Sequence, residues 1–328
     1  MLSYIFRRIL AMIPTLFLAS IVAFIIIQLP PGDFATSYTA NLAAMGDTVS
    51  QETLANLREA YGLDQPVLIQ YYKWITGIIF RGDYGLSFEH REPVSSLIWD
   101  RIWLTMWLSL VSVLLTWIIA FPIGIYSAVK QYSAGDYIFT LIGFIGVSVP
   151  AFLVALVLMY LQFKYFGQTT SGLFSDEFIS AAWSWARVKD LLAHLWLPAL
   201  ILGLSGTAEL IRILRANLLD ELRRPYVITA RAKGLPEWKA ILKYPVRLAL
   251  NPFVSTLGWI LPGLISGSII LSQVMNLPTT GPLLLRSLQS QDMYLAGSMI
   301  LVLSVATVLG TFVSDILLAL LDPRIRYQ

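Results

Sequence analysis

The chain has 328 residues, 57% of them apolar and 13% charged, with a mean hydropathy of +0.70 and a formal net charge of +3. Soluble domains carry about 25% charged residues, so this composition excludes an ordinary water-soluble fold and points to a lipid bilayer. No cysteine is present, so neither disulfides nor thiolate chemistry arises, and the redox compartment is left open.

Six apolar stretches reach the roughly 20 residues that cross a hydrocarbon core. They are Ile9–Leu29, Ile102–Val129, Tyr137–Phe163, Leu191 to about Ile211, Leu248 to about Gln273 and Met293 to about Leu321. Each is continuous, unlike the alternating segments of about 10 residues in membrane barrels. The expectation is an all-α membrane protein whose backbone groups are bonded within each helix. The first stretch follows Arg7 and Arg8 and is 21 residues long. A secretory leader has an apolar region of about 7 to 15 residues, so this one reads as an anchor.

Residues 33–101 form an outward segment too long for a simple connection. Within it Val67, Leu68, Tyr71, Tyr72, Ile75, Ile78 and Ile79 recur at helical spacing beside Trp74, predicting an amphipathic helix at the outer membrane–water boundary. It serves either as a packing helix that caps the bundle or as a docking surface for an external partner. Trp103 and Trp107 open the second stretch as an interfacial aromatic belt would, and Phe121-Pro122-Ile123-Gly124 predicts a kink. The third stretch carries Gly143, Gly146, Ser148 and Pro150; such small residues let helices approach closely and also suit a water-lined path. The second outward loop, from about Lys164 to Asp190, is polar, with Trp183 and Trp185 near its return to the membrane. Past the fifth stretch, Leu277-Pro-Thr-Thr-Gly-Pro282 forbids a continuous helix and predicts a short outward or re-entrant turn.

Six spans put both termini on one side, and basic residues choose which. Segments 1–8, 130–136, 212–247 and 322–328 hold 14 Lys and Arg against 5 acids, while the opposite segments hold 9 against 13. Both termini and the 212–247 loop are therefore expected in the cytoplasm. The positive net charge follows from this topology and calls for no nucleic acid. Glu209 and Asp315 lie within or near the fourth and sixth stretches and read as structural or interfacial groups, with proton coupling as the alternative; Arg212 sits one turn from Glu209, within reach of a local ion pair.

Function classes narrow accordingly. The two histidines, His90 and His194, are far apart and match no metal-ligand spacing, and no nucleophile elbow stands out, so an enzyme lacks a constellation. A self-sufficient secondary transporter is the stronger rival, although no internal repeat of the kind many such folds carry is visible. The most informative segment is the cytoplasmic loop. Pro225, Pro236, Pro245 and Pro252 divide it into short helical pieces. Gly234 followed by Pro236 reads as a positive-φ helix terminus, giving helix, tight turn, helix.

Tyr226-Val-Ile-Thr-Ala-Arg-Ala-Lys-Gly234 resembles the EAA loop of permease subunits of type I ABC importers, in the dipeptide and oligopeptide branch. Ala230 falls on the motif's second alanine and Gly234 on its glycine, while Ile228 and Thr229 replace its Glu and first Ala. Arg7-Arg8 with Gln28-Leu-Pro-Pro-Gly-Asp33, Tyr61-Gly-Leu-Asp-Gln-Pro66, Gly82-Asp-Tyr-Gly-Leu-Ser87, His194-Leu-Trp-Leu-Pro-Ala199 and Asp322-Pro-Arg-Ile-Arg326 extend the resemblance, in order, over essentially the whole chain.

The resemblance implies the six-helix fold of a type I ABC importer permease with cytoplasmic termini. Its parts are a cytoplasmic start and first span (1–32), a periplasmic segment (33–101), a five-helix core with the coupling loop 212–250 (102–321) and a cytoplasmic tail (322–328). It implies that Ala230, Lys233, Gly234, Leu235, Pro236 and Glu237 contact an ATP-binding subunit. No phosphate-binding Gly-x-x-x-x-Gly-Lys-Ser/Thr loop occurs, so ATP and magnesium are expected on partner subunits and no cofactor on this chain. The implied partners are a second, non-identical permease, two ATP-binding subunits, an external solute-binding protein and the inner-membrane lipid, with no nucleic acid. Ser148, Ser205, Thr207, Ser266 and Ser268 are uncharged candidates for the translocation pathway, although such hydroxyls also bond to their own helix backbone. The branch favours di- or oligopeptides as solute, with oligosaccharides or other small solutes as the alternative.

Overall fold

The structure, a computed structural model, describes residues 2–29, 35, 36, 39, 51–60, 64–167, 171–255 and 269–321. Among these residues there is no strand, only an isolated bridge between Leu86 and Pro93. The helices are α1 (Leu2–Gln28), α2 (Gln51–Ala60), α3 (Val67–Arg81), α4 (Val94–Val129), α5 (Ala134–Ser148), α6 (Ala151–Phe166), α7 (Trp185–Leu222), α8 (Pro225–Ala232), α9 (Glu237–Lys243), α10 (Pro245–Ser255), α11 (Thr280–Gln289) and α12 (Met293–Leu321).

Three helices, α1, α4 and α12, are each long and apolar enough to cross a membrane alone. The pair α5 and α6 makes a fourth candidate span bent by 101°, and α7 a fifth bent by 52° between Leu204 and Gly206. Half of the expected stretch from Leu248 to about Gln273, residues 256–268, lies outside those described. The chain is thus an all-helical membrane protein with up to five candidate spans among the described residues.

Pro150 behaves differently from its sequence reading. The continuous helix expected over Tyr137–Phe163 is broken: Pro150 restricts the residue before it, and Val149 is extended at φ −95°, ψ 124°. Pro122, where the sequence predicts a kink, lies inside α4, which runs on through it as one helix. The bend in α7 has a different cause. It falls in the run Gly203-Leu-Ser-Gly206, where small residues weaken the helix, and Thr207 there donates its hydroxyl to the Gly203 carbonyl one turn back at 2.7 Å.

The chain forms two compact units, the first built from residues 105–278 and 309–328. Its core gathers Ala120 and Ala128 of α4, Leu210, Leu214 and Leu218 of α7, Ile241 of α9 and Val246 and Ala249 of α10. Small residues set the spacing here: a Cβ on Gly124 would lie 2.9 Å from the Leu214 side chain, so α4 and α7 meet backbone to side chain. At the start of α5, Ser133 caps the helix by accepting from the Asp136 amide at 3.3 Å. The buried Asp136 carboxylate accepts from Nε and Nη2 of Arg215 on α7, at 3.1 and 2.9 Å, and from the Tyr132 amide at 2.9 Å. A bidentate, charge-assisted pair of this kind is among the stronger polar contacts available to a protein. The polar loop before α7 is also built rather than loose. Arg187 lies 4.8 Å from the Phe174 ring and 4.6 Å from the Trp183 ring, and Asp190 accepts from the amide and hydroxyl of Ser175.

The second unit comprises residues 2–104 and 279–308. The expected amphipathic helix is α3, and it is a packing helix on one side: Trp74 is buried against Phe24, and Tyr71 packs on Phe24 at 5.3 Å and shares a hydrogen bond with Ser20. A second cluster joins Val94 and Ile98 to Leu283, Leu295 and Met299. Between these clusters in sequence sits Asp292, fully buried. Its carboxylate accepts from the Ser87 hydroxyl at 2.6 Å, the Glu89 amide at 3.2 Å and the Leu295 amide at 3.1 Å, so one side chain caps α12 and pins the 87–89 turn.

Asp292→Ala strands a buried hydroxyl and two amides, at about 1–3 kcal/mol for each unsatisfied group. Thermal unfolding of the purified protein in detergent should show a clear fall in Tm, with Asp292→Asn, which keeps one acceptor, falling less.

Candidate functional site

The loop expected over 212–250 folds, beyond the end of α7, as three short helices, α8, α9 and α10, rather than two. Pro225 opens α8 at a position where a missing N–H costs nothing. Pro236 precedes α9 and Pro245 begins α10, whereas Pro252, expected to divide the loop, lies inside α10. The inward faces are short and apolar: Val227 and Ala230 of α8 and Ala240 and Ile241 of α9 are buried.

The turn between α8 and α9 brings together all six residues expected to form a contact site. After Lys233 at φ −81°, Gly234 takes φ +79°, a conformation that L side chains resist. The Gly234 amide donates to Arg231 O at 2.9 Å and the Leu235 amide to Ala230 O at 3.3 Å. These two bonds are the Schellman arrangement, which satisfies carbonyls left over at a helix end. Among the described residues, and apart from its chain neighbours, nothing lies within 4 Å of a Cβ placed on Gly234, so the outer surface of the turn is open. Lys233, Gly234, Pro236 and Glu237 are exposed, Leu235 is half-buried, and Ala230 faces the core.

A feature missed in the sequence spans this turn. Arg231 donates to Glu237 through Nε at 3.1 Å and Nη2 at 2.5 Å, across Gly234-Leu235-Pro236. Their separation of six residues is not a helical repeat, so only the folded turn brings them together. Both side chains are substantially exposed, which limits the pair to about 0–1 kcal/mol. Burying an aliphatic side chain such as Ile241, Leu214 or Leu218 contributes about 1.5–3 kcal/mol by comparison. The turn is therefore held mainly by its apolar seat on the inner end of α7 and by its backbone bonds.

Tyr226 reinforces the base of α8. Its hydroxyl donates to Glu221, and its ring lies 6.4 Å from that of Tyr244. Burial first, and then the Glu221 carboxylate, keep this hydroxyl protonated far above the ordinary tyrosine range.

The expected pathway hydroxyls are not gathered in the same way. Thr207 is buried, and Ser148 is exposed at the end of α5, donating to Phe144 O at 2.7 Å. Both of these hydroxyls are spent on their own helix. Thr207 lines an apolar cleft of about 530 Å³ between α4, α5 and α7, together with Thr116, Gly143 and Gly203. The Ser205 side chain, Ser266 and Ser268 lie outside what is described. Glu209 and Arg212 do not form the local ion pair that their spacing allowed.

Comparison with known proteins fits this architecture. Residues 120–327 match the family described as the binding-protein-dependent transport system inner membrane component, and residues 1–110 match its N-terminal membrane component. The chain is 36% identical over 331 residues to the oligopeptide transport system permease protein AppB of Bacillus subtilis (strain 168), covering all of both chains. It is 34% identical over 328 residues to the glutathione transport system permease protein GsiC of Escherichia coli (strain K12), and 33% identical to that of Salmonella paratyphi A, again over full lengths. The chain thus belongs to the family of binding-protein-dependent transport system inner membrane components: it is a multi-pass inner-membrane permease subunit of an ABC importer and not an enzyme, ATP hydrolysis in such systems residing on separate subunits.

Proposed function

We propose that this permease carries di- or oligopeptides delivered by an external solute-binding protein, and that the α8–α9 turn is where ATP-binding subunits drive it. The observation that carries the second part is the turn itself: a backbone-bonded bend with an open outer surface, seated by Ile241, Val246 and Ala249 on α7. A partner pressing on Lys233, Gly234, Leu235, Pro236 and Glu237, with the buried Ala230 beneath them as part of the seat rather than the contact surface, displaces α7 with it. Interior packing is close and transmits displacement rather than absorbing it. The substrate reading is supported by the names of the relatives, since an oligopeptide and glutathione are both peptides.

In this reading ATP and magnesium stay on two partner subunits, whose closure shifts the permease between inward-open and outward-open states by differential affinity. The permease pairs with a second, non-identical copy of the fold. Residues 1–32 hold the cytoplasmic start and first span, and 33–101 form the periplasmic segment. Residues 102–321 form the core with its coupling loop 212–250, and 322–328 the cytoplasmic tail. Six spans with cytoplasmic termini agree with the excess of Lys and Arg in the segments placed inside.

Gly234→Ala keeps the surface small but strains the backbone by about 1 kcal/mol. It should leave most substrate-stimulated ATPase intact. Gly234→Trp should abolish that stimulation while the protein still inserts in the membrane; normal transport by this variant would remove the turn from the mechanism.

Because the chain has no cysteine, single cysteines give unique labels. An impermeant maleimide applied to intact cells should label Asp176→Cys in the outer loop and fail to label Lys233→Cys. The reverse pattern would invert the topology. Affinity purification of the tagged chain should retain a different permease chain; recovery of only identical copies would replace the heterodimer with a homodimer.

A further inference from the structure

The helices α5 and α7 touch through small residues: a Cβ on Gly143 would lie 3.3 Å from the Cβ of Ala208. This contact borders the apolar cleft with α4 already described and also a second, open crevice. The two differ in chemistry. The second is walled by Phe144 and Val147 with Thr140 on α5, and by Glu209, Arg212 and Arg215 on α7. Arg215 is already committed to the buried Asp136. Glu209 and Arg212 are both exposed and make no ion pair with each other.

Glu209 lies within the fourth apolar stretch and Arg212 just beyond it. Both thus sit at the end of that stretch, where charged side chains belong beside water, protein or a polar ligand rather than lipid. Residues three apart on a helix have Cβ atoms about 5–6 Å apart. An extended chain advances about 3.3–3.6 Å per residue, so the termini of a short peptide can reach both groups once side-chain length is included.

We infer that the α5–α7 crevice is a binding station for a zwitterionic peptide on its way inward, with Glu209 receiving the terminal ammonium and Arg212 the terminal carboxylate. Arg215, held by Asp136, sets the position of α5 and contributes positive potential at the inner end. The apolar wall of Phe144 and Val147 accepts side chains without discriminating among them, which suits a permease whose cargo varies in sequence. This inference rests on the peptide reading of the preceding subsection.

Everted membrane vesicles containing the assembled importer, with Thr140→Cys in this chain, test it. The thiol is the only one in the chain, so its alkylation by N-ethylmaleimide is read on this subunit alone. Trialanine should slow alkylation, and trialanine acetylated at its N-terminus and amidated at its C-terminus should not. Glu209→Gln and Arg212→Gln should each raise the half-protecting concentration of trialanine about tenfold, the effect of one lost charged contact. Equal protection by free and blocked peptide, or protection unchanged in both variants, overturns the assignment. So does a thiol that is unreactive whether or not peptide is added, which would mean that a lipid headgroup or a partner helix fills the crevice. Uptake of radiolabelled trialanine by cells carrying the unmodified importer separates the two levels. Uptake without protection defeats the crevice alone, whereas no uptake defeats the peptide reading and the crevice with it.

Discussion

A backbone amide inside a bilayer has no water to bond, so the chain must remain helical wherever lipid surrounds it, and each place where a helix stops must supply other partners. The architecture follows from how those stops are made. Asp292 satisfies the start of α12 and, with the same carboxylate, the 87–89 turn. Ser133 caps α5, and the Asp136 amide it receives belongs to the residue whose carboxylate binds Arg215. At Gly234 the stop is made by the backbone alone, with two amides folded back on Arg231 and Ala230. The first two stops draw on buried carboxylates, with the half-buried Ser133 at the second; the third is exposed and leaves its surface free.

That difference separates structure from function in this permease. A buried carboxylate with several donors resists movement, because withdrawing it leaves groups unpaired in a medium that does not solvate them. An exposed backbone-bonded turn presents little side-chain bulk and keeps its shape under load. The apolar seat of α9 and α10 on Leu210, Leu214 and Leu218 joins this turn to the inner half of α7. The same helix carries Glu209, Arg212 and Arg215 on its other aspects. The proposed input from a partner subunit and the inferred solute contact would thus meet on one element, within a single compact unit.

Helix α7 also shows how polarity is managed at depth. Thr207 turns its hydroxyl back to Gly203 and takes up its own bond locally, so the 530 Å³ cleft beside it stays apolar. Arg215 is neutralised by Asp136. Glu209 and Arg212 bring further charge to the wall of the crevice, which makes it more polar than the cleft beside Thr207.

Hydropathy runs alone determined that the protein is helical and membrane-embedded, because backbone satisfaction in lipid leaves few other choices and each apolar run is long enough to cross. The Gly234–Pro236 turn was legible for a similarly local reason: positive φ and a missing amide are properties of single residues. Prolines were read less well. Pro150 and Pro122 look alike in sequence, yet the helix breaks at one and passes through the other. What only tertiary structure decided were the pairings between distant side chains: Arg231 with Glu237 across the turn, Asp136 with Arg215, Asp292 with Ser87, and Arg187 between Phe174 and Trp183. It also left Glu209 and Arg212 apart although their spacing allowed a pair. Spacing along a helix says which side chains share a face; which of them bond depends on what the neighbouring helices bring to that face, and that is a property of the packed chain.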